Sequence, residues 1–503
     1  MPNLSNLTIK SASDLLEKKE ISSVELTRHY LDRIKNLDEK IGAFLLVSEE
    51  YALKKAKESD ERIASGKRLG ALDGIPCGIK DVIVTEGIDT TAASKILEGF
   101  NPPFSATVVK KLEDAGAVIL GKLNCDEFAM GSSTENSAYK VCHNPWDLER
   151  VPGGSSGGSA AALASDFCVF TLGTDTGGSI RQPASLCSVT GLKPTYGRNS
   201  RYGAIAYGSS LDQIGPFGKC VEDIGILMVA MSGKDILDAT TVDIKPTANL
   251  RSGGRISGSE ADGDPTSAQL EISKIKIGVP KEYFVEGMDQ EVKDIILKAV
   301  DKYKEMGAEI IDISLPHTQY VVPAYYLIAY AEASSNLARY DGIKYGQSEQ
   351  AVAKDLIDVY FKTRGKYLGD EQKRKSILGT YELSAGYYDA YYLKAQKVRT
   401  LIKKDFDEVF TKVDCLLAPV SPFPAFKIGE KKDDPLSMYL ADIFTLAPNM
   451  AGICALSIPA GFTASGLPVG LQVIGSRFEE AKILAIAKAY EDATEWHTMF
   501  PKL

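Results

Sequence analysis

Between Val151 and Gly197 the chain reads VPGGSSGGSAAALASDFCVFTLGTDTGGSIRQPASLCSVTGLKPTYG. Two glycine-rich serine loops bracket a short apolar unit, and this arrangement constrains the fold more than any other feature of the sequence. One loop precedes a helix predicted to begin near Ser159. The other follows a strand predicted over Phe167–Leu172. Glycine at such points lets the backbone take conformations closed to other residues, so that N–H groups can converge on an anion or a developing oxyanion.

The flanking sequence repeats the same texture. Thr107 can cap a helix carrying Val108, Val109, Leu112 and Ala115; Gly116 ends it, and Ala117-Val118-Ile119-Leu120 reads as a strand. Repetition of such units implies an α/β sheet with helices on both faces. Ser22-Ser23-Val24-Glu25 has the form of a capping box ahead of Leu26, Tyr30, Ile34 and Leu37, so residues 1–60 are predicted to be helical. Further strands are expected over Ile275–Pro280, Leu456–Pro459 and Leu471–Gly475, and a helix over Gln290–Met306. Residues 252–267, SGGRISGSEADGDPTS, hold one large apolar residue, Ile256, and read as a polar surface-loop insertion within a single domain spanning 1–503.

Composition removes several functions. Lys and Arg number 58 against 67 Asp and Glu, a formal net charge of −9, whereas a protein that chiefly binds nucleic acid needs a basic face. Any RNA is therefore expected on a partner. The eight cysteines have mostly apolar neighbours and no C-x-x-C spacing, which predicts reduced core thiols and neither a disulfide framework nor a zinc site. His29, His143, His317 and His497 are too scattered for a metal cluster. The first residues lack the pattern of a secretory signal, and no apolar run approaches a membrane span, so a soluble cytoplasmic protein is expected.

The glycine loops do not fit phosphate binding: neither has the lysine of G-x-x-x-x-G-K-[ST], and neither matches G-x-G-x-x-G. Gly153-Gly154-Ser155-Ser156-Gly157 satisfies the loose G-x-S-x-G elbow, but that reading requires His317 or His497 as base. A serine hydrolase without histidine uses another base, commonly lysine. Lys80 ends the apolar, glycine-flanked run Gly74-Ile75-Pro76-Cys77-Gly78-Ile79-Lys80 and is predicted to point inward. Its ordinary pKa leaves only about 0.04% neutral amine at pH 7, so burial or a cationic field must lower it before it can act. The alternative is a lysine snorkelling from a strand end.

Gly153–Ser159, Gly173-Thr174-Asp175-Thr176-Gly177-Gly178-Ser179-Ile180-Arg181-Gln182-Pro183-Ala184 and Gly78-Ile79-Lys80-Asp81 together resemble the amidase signature family. That resemblance implies a central mixed, twisted sheet covered by helices on both faces. It also implies a triad of Ser179 as nucleophile, Ser155 as a bridging serine after a cis peptide, and Lys80 as general base, with the N–H groups of Thr176, Gly177 and Gly178 in an oxyanion hole. No metal belongs to this scheme.

Within the family, Gly191–Arg198, Ser210–Pro216, Glu332–Leu337 and Gly386–Tyr392 are similar to the glutaminase subunits of tRNA-dependent amidotransferases. The resemblance then implies glutamine as substrate, read by Tyr325, Arg374 and Asp442. It also implies two partners, the B and C subunits of a heterotrimer. ATP and Mg are used by a partner, and misacylated tRNA is held mainly through the B subunit. Lys373-Arg374-Lys375 departs from the consecutive arginines more common in the family. A free-standing amidase acting on another small amide is the alternative, and a scaffold with a vestigial triad is opposed by the intact Lys80, Ser155 and Ser179.

Overall fold

The computed structural model describes residues 2–244, 271–431 and 434–503. Its described strands are β1 (Phe44–Val47), β2 (Pro76–Lys80), β3 (Val118–Leu123), β4 (Phe170–Asp175), β5 (Thr190–Lys193), β6 (Gln213–Gly218), β7 (Lys276–Pro280), β8 (Glu309–Ile313), β9 (Cys415–Pro419), β10 (Ala455–Phe462) and β11 (Pro468–Ile474). They form one sheet in the order β1-β3-β2-β4-β6-β5-β10-β11-β9-β7-β8. The sheet is mixed. β2 runs parallel to both β3 and β4, and β7 runs parallel to β8 and β9, whereas the remaining pairs are antiparallel.

Side-chain alternation explains how helices cover both faces. On β10 and β11, Leu456, Ile458, Leu471 and Val473 join a core with Val292, Ile296 and Val300 of the helix Gln290–Glu305 and Ile483 and Ile486 of Glu480–Asp492. The alternate residues meet the opposite layer. There Gln472 accepts from Arg181, and Gly470 N–H donates to Ser185 Oγ, both partners lying on the helix Arg181–Cys187. β2, β3 and β4 are buried along their whole length, the polar Lys80, Lys122, Thr171, Thr174 and Asp175 included.

Several expectations change in detail. The first 60 residues are not wholly helical, since β1 interrupts them and pairs antiparallel with β3 at the sheet edge. The capping box is present: Glu25 N–H donates to Ser22 Oγ at 3.1 Å, and Ser22 N–H to Glu25 Oε2 at 2.8 Å. Thr107 is the first residue of its helix and not the cap. Ala106 takes that place, and the Thr107 hydroxyl donates to Asp235 at 2.6 Å. The helix placed near Ser159 begins at Gly157, and its strand runs Phe170–Asp175. Residues 252–267 lie outside the described residues. All eight cysteines are free and buried, and burial raises every thiol above its ordinary pKa. No helix among the described residues is long and apolar enough to cross a membrane.

Candidate active site

The parallel pairing of β2 with β4 sets Ile79 beside Leu172, so Lys80 ends β2 next to the carboxyl-terminal residues of β4. Open sheets commonly place their ligands at that end of their strands. The Lys80 side chain is fully buried, and its Nζ donates to Ser155 Oγ at 2.7 Å, Ser156 Oγ at 2.9 Å and Thr174 Oγ1 at 2.9 Å. Three hydroxyls thus satisfy an ammonium without any carboxylate in direct contact. Burial without a paired charge pushes the Lys80 pKa down to about 8.

Ser155 and Ser156 come from the first glycine loop, which turns into the helix Gly157–Ala164. The Gly154–Ser155 peptide is cis. Gln182 holds the loop in place, accepting from Gly154 N–H at 2.9 Å and donating to the Ser132 carbonyl at 2.9 Å. Ser156 stands at the N-cap of the helix Gly157–Ala164 without a side-chain capping bond; its hydroxyl accepts from Lys80 and donates to the Thr174 carbonyl at 3.0 Å.

The second loop leaves β4 at Asp175. That carboxylate accepts from Gly178 N–H at 2.8 Å and Ile180 N–H at 3.1 Å, and it pairs with the Arg181 guanidinium at 3.1 Å. Burial would raise the Asp175 pKa, but the Arg181 charge and its hydrogen bonds hold it at about 2. Removing one partner of such a buried pair typically costs about 3–5 kcal/mol. Gly178 has φ +133°, and a Cβ there would lie 2.1 Å from Thr445 Oγ1.

Ser179 is 8% exposed, and its carbonyl accepts from Ser156 N–H at 3.2 Å, which joins the two loops. Its Oγ has no hydrogen-bond partner among the described residues, so the contact with Ser155 expected of a triad is not formed, whereas that between Lys80 and Ser155 is. The Gly178 N–H, expected as an oxyanion donor, is taken by Asp175. Among the described residues the N–H groups of Thr176, Gly177 and Ser179 have no such acceptor.

One wall beside this loop is built from tyrosines. A Cβ at Gly177 would fall 2.4 Å from Tyr325 Oη, so Tyr325 lies against the loop, while Tyr326 packs on Tyr439 at 4.2 Å between ring centroids. Asp442 accepts from Ser132 Oγ through Oδ2, and among the described residues its buried Oδ1 has no partner. Burial raises its pKa to about 8. A buried carboxyl raised this far is largely protonated at neutral pH, and a cation beside its free oxygen would favour the ionised form.

Arg374 departs from the sequence expectation. It lies on the helix Asp370–Glu382 with its side chain 45% exposed and its guanidinium 2.5 Å from Glu371 Oε2. The neighbouring Lys375 is the buried cation: its Nζ sits 3.2 Å from Glu371 Oε1 and 5.1 and 5.6 Å from the ring centroids of Tyr207 and Tyr330. His317 pairs with Asp405 at 2.7 Å, and His497 lies in the turn Trp496–Thr498. Neither histidine is hydrogen-bonded to Ser155 or Ser179, so the G-x-S-x-G reading has no base.

The family model described as Amidase matches residues 25–484. The chain is 55% identical over 495 residues to the A subunit of the glutamyl-tRNA(Gln) amidotransferase of Geobacter metallireducens, covering 98% of this chain and 99% of that one. It is 55% identical over 496 residues to the protein of the same name from Thermoanaerobacter pseudethanolicus, covering 98% of each. The crystal structure of the A subunit of the glutamyl-tRNA(Gln) amidotransferase from Thermotoga maritima superposes with a TM-score of 0.79 at 43% identity, covering 100% of this chain and 98% of that one.

Proposed function

This chain belongs to the amidase family, and from that premise we propose that it is the glutamine-hydrolysing subunit of a tRNA-dependent amidotransferase, releasing ammonia to amidate Glu-tRNA(Gln) or Asp-tRNA(Asn). The observation that carries the reading is the buried Lys80 with its Nζ 2.7 Å from Ser155 Oγ, at the junction of the two glycine-rich loops. The full-length similarity to proteins named for that assembly supplies the substrate.

In this reading neutral Lys80 accepts the Ser155 proton while Ser155 accepts that of Ser179. Ser179 Oγ then attacks the side-chain amide carbon of glutamine. The oxyanion develops against the N–H groups of Thr176 and Gly177, where one preorganised donor is typically worth about 3–4 kcal/mol. The relay returns its proton to the leaving nitrogen, ammonia departs, and water hydrolyses the γ-glutamyl ester by the same path in reverse. The unpartnered Asp442 oxygen is suited to the substrate α-ammonium, Tyr325 to the edge of the loop, and Arg374 or its buried neighbour Lys375 to the α-carboxylate.

With the B and C subunits as partners in a cytoplasmic heterotrimer, we place ATP and Mg on a partner and the misacylated tRNA mainly on the B subunit, in keeping with the acidic charge of this chain. The test is to purify the chain alone and with co-expressed partners, and to measure glutamate released from glutamine and ATP-dependent amidation of Glu-tRNA. Hydrolysis of simple amides in preference to glutamine, unchanged by any partner, would favour the free-standing amidase instead.

A further inference from the structure

The loop bearing Ser179 is held on one side by Asp175. It is held on the other by a second buried carboxylate that the reaction scheme leaves unused. β4 and β6 pair antiparallel with Asp175 opposite Gln213, so the next residue on each side, Thr176 and Asp212, also come together. The Thr176 hydroxyl donates to Asp212 Oδ1 at 2.6 Å. The same carboxylate accepts from Gly208 N–H at 3.0 Å and, through Oδ2, from Tyr207 N–H at 2.9 Å. The Asp212 N–H in turn donates to the Gly208 carbonyl at 2.8 Å, closing a tight turn.

This turn reaches the tyrosine-lined wall. The Tyr207 ring carries the buried Lys375 ammonium at 5.1 Å, and Lys375 is paired with Glu371, which also holds Arg374. A Cβ on Gly208 would come 3.2 Å from Thr176 Cγ2, so the turn and the loop are already in near contact. A continuous set of contacts therefore runs from the helix Asp370–Glu382 through Tyr207 and Asp212 to Thr176, the residue whose N–H opens the proposed oxyanion hole. Asp212 is 8% exposed. Burial lifts its pKa only to about 6, so it is largely ionised at neutral pH and able to accept all three bonds.

We propose that Asp212 is the positioning residue of the oxyanion loop, fixing the Thr176 backbone through the Thr176 hydroxyl and tying it to the turn that packs on Lys375. The inference rests on the hydrolytic reading above and adds to it a residue that touches neither substrate nor nucleophile. Because it acts through Thr176, its loss and the loss of the Thr176 hydroxyl are one defect. That defect appears in turnover and not in binding, since an oxyanion exists only after attack.

The test uses the full chain with its partners, and kcat and KM are measured for glutamine, or for whichever amide the wild type hydrolyses. Asp212→Asn and Thr176→Val are each expected to lower kcat about 10–100-fold, short of the loss of a whole oxyanion donor, with KM within about 2-fold. The double variant should be no slower than the slower single. Thr176→Ser, which keeps the hydroxyl, should be at least about tenfold faster than Thr176→Val. Losses that multiply in the double variant, KM rising in step with the fall in kcat, or serine no better than valine at position 176 would each overturn the proposal. If Asp212→Asn does not fold, the two Thr176 variants decide it alone. A wild type inactive on every amide would defeat the functional reading beneath it.

Discussion

Two lysines of the central sheet invite comparison. Lys80 ends β2 and Lys193 ends β5; both are fully buried, and both have a pKa pushed down to about 8, by burial in each case and additionally by the Arg181 charge at Lys193. Their acceptors differ. Among the described residues Lys193 donates to the backbone carbonyls of Pro194 and Ile453, whereas Lys80 donates only to hydroxyls. A carbonyl can hold a proton donor but cannot pass a proton on; a hydroxyl can do both. A lowered pKa therefore marks burial in both regions, and the chemistry of the acceptors separates a base from a structural strut.

Variants sharpen this contrast, beginning with the largest effect. Ser179→Ala should reduce glutamine hydrolysis below about 1% of wild type with the fold intact, since the nucleophile goes without a large cavity. Residual hydrolysis above that level in the purified variant would remove Ser179 from its role. Lys80→Met should be nearly as severe, and combining it with Ser155→Ala should add almost nothing, because members of one relay fail together. A double variant showing the product of both losses would break the relay.

Asp442→Asn and Arg374→Ala should lower kcat/KM for glutamine about 10–100-fold while sparing an uncharged amide, because each is proposed to read the amino acid and not to act on the amide. Equal losses on both substrates would make them structural. Parallel measurement of Lys375→Met decides which of the two adjacent cations carries that preference.

The pH profile follows from the same groups. Lys80 must be neutral to accept a proton, a state favoured above about 8. Asp442 must be ionised to hold an ammonium, also above about 8. Hence kcat/KM for glutamine should rise with pH up to that region by more than about tenfold per unit, and Asp442→Asn should reduce the slope to that of one ionisation. A flat wild-type profile between about pH 6 and 8 would contradict the assignment. The smallest change in chemistry is expected at Lys193→Met: turnover within about threefold, with a melting point lowered by several degrees because two buried carbonyls lose their donor.

The parts legible in the sequence are those where one residue type carries one geometry. The buried runs of β2, β3 and β4 and the glycines of both loops are of this kind, and Lys80 at the end of such a run is inward-pointing as its context indicates. Other parts depend on partners far away in the chain. Four residues of β1 between two long helices leave too short an alternation to register as a strand until β3 pairs with them. Lys373-Arg374-Lys375 has no apolar phase, and successive helix residues turn by about 100°, so nothing local decides that Lys375 goes inward and Arg374 outward. Thr174, Ser156 and Asp212 act through contacts formed only once β4 lies between β2 and β6.

The burial of every cysteine gives this molecule an internal seal that can be read from outside. With eight thiols shielded and their ionisation suppressed, an alkylating reagent meets almost no thiolate until the chain opens. The rate at which thiols become labelled then reports opening of the fold, independently of any substrate. Variants that lose turnover but label at the wild-type rate have lost chemistry alone; those that label faster have lost the scaffold that holds it.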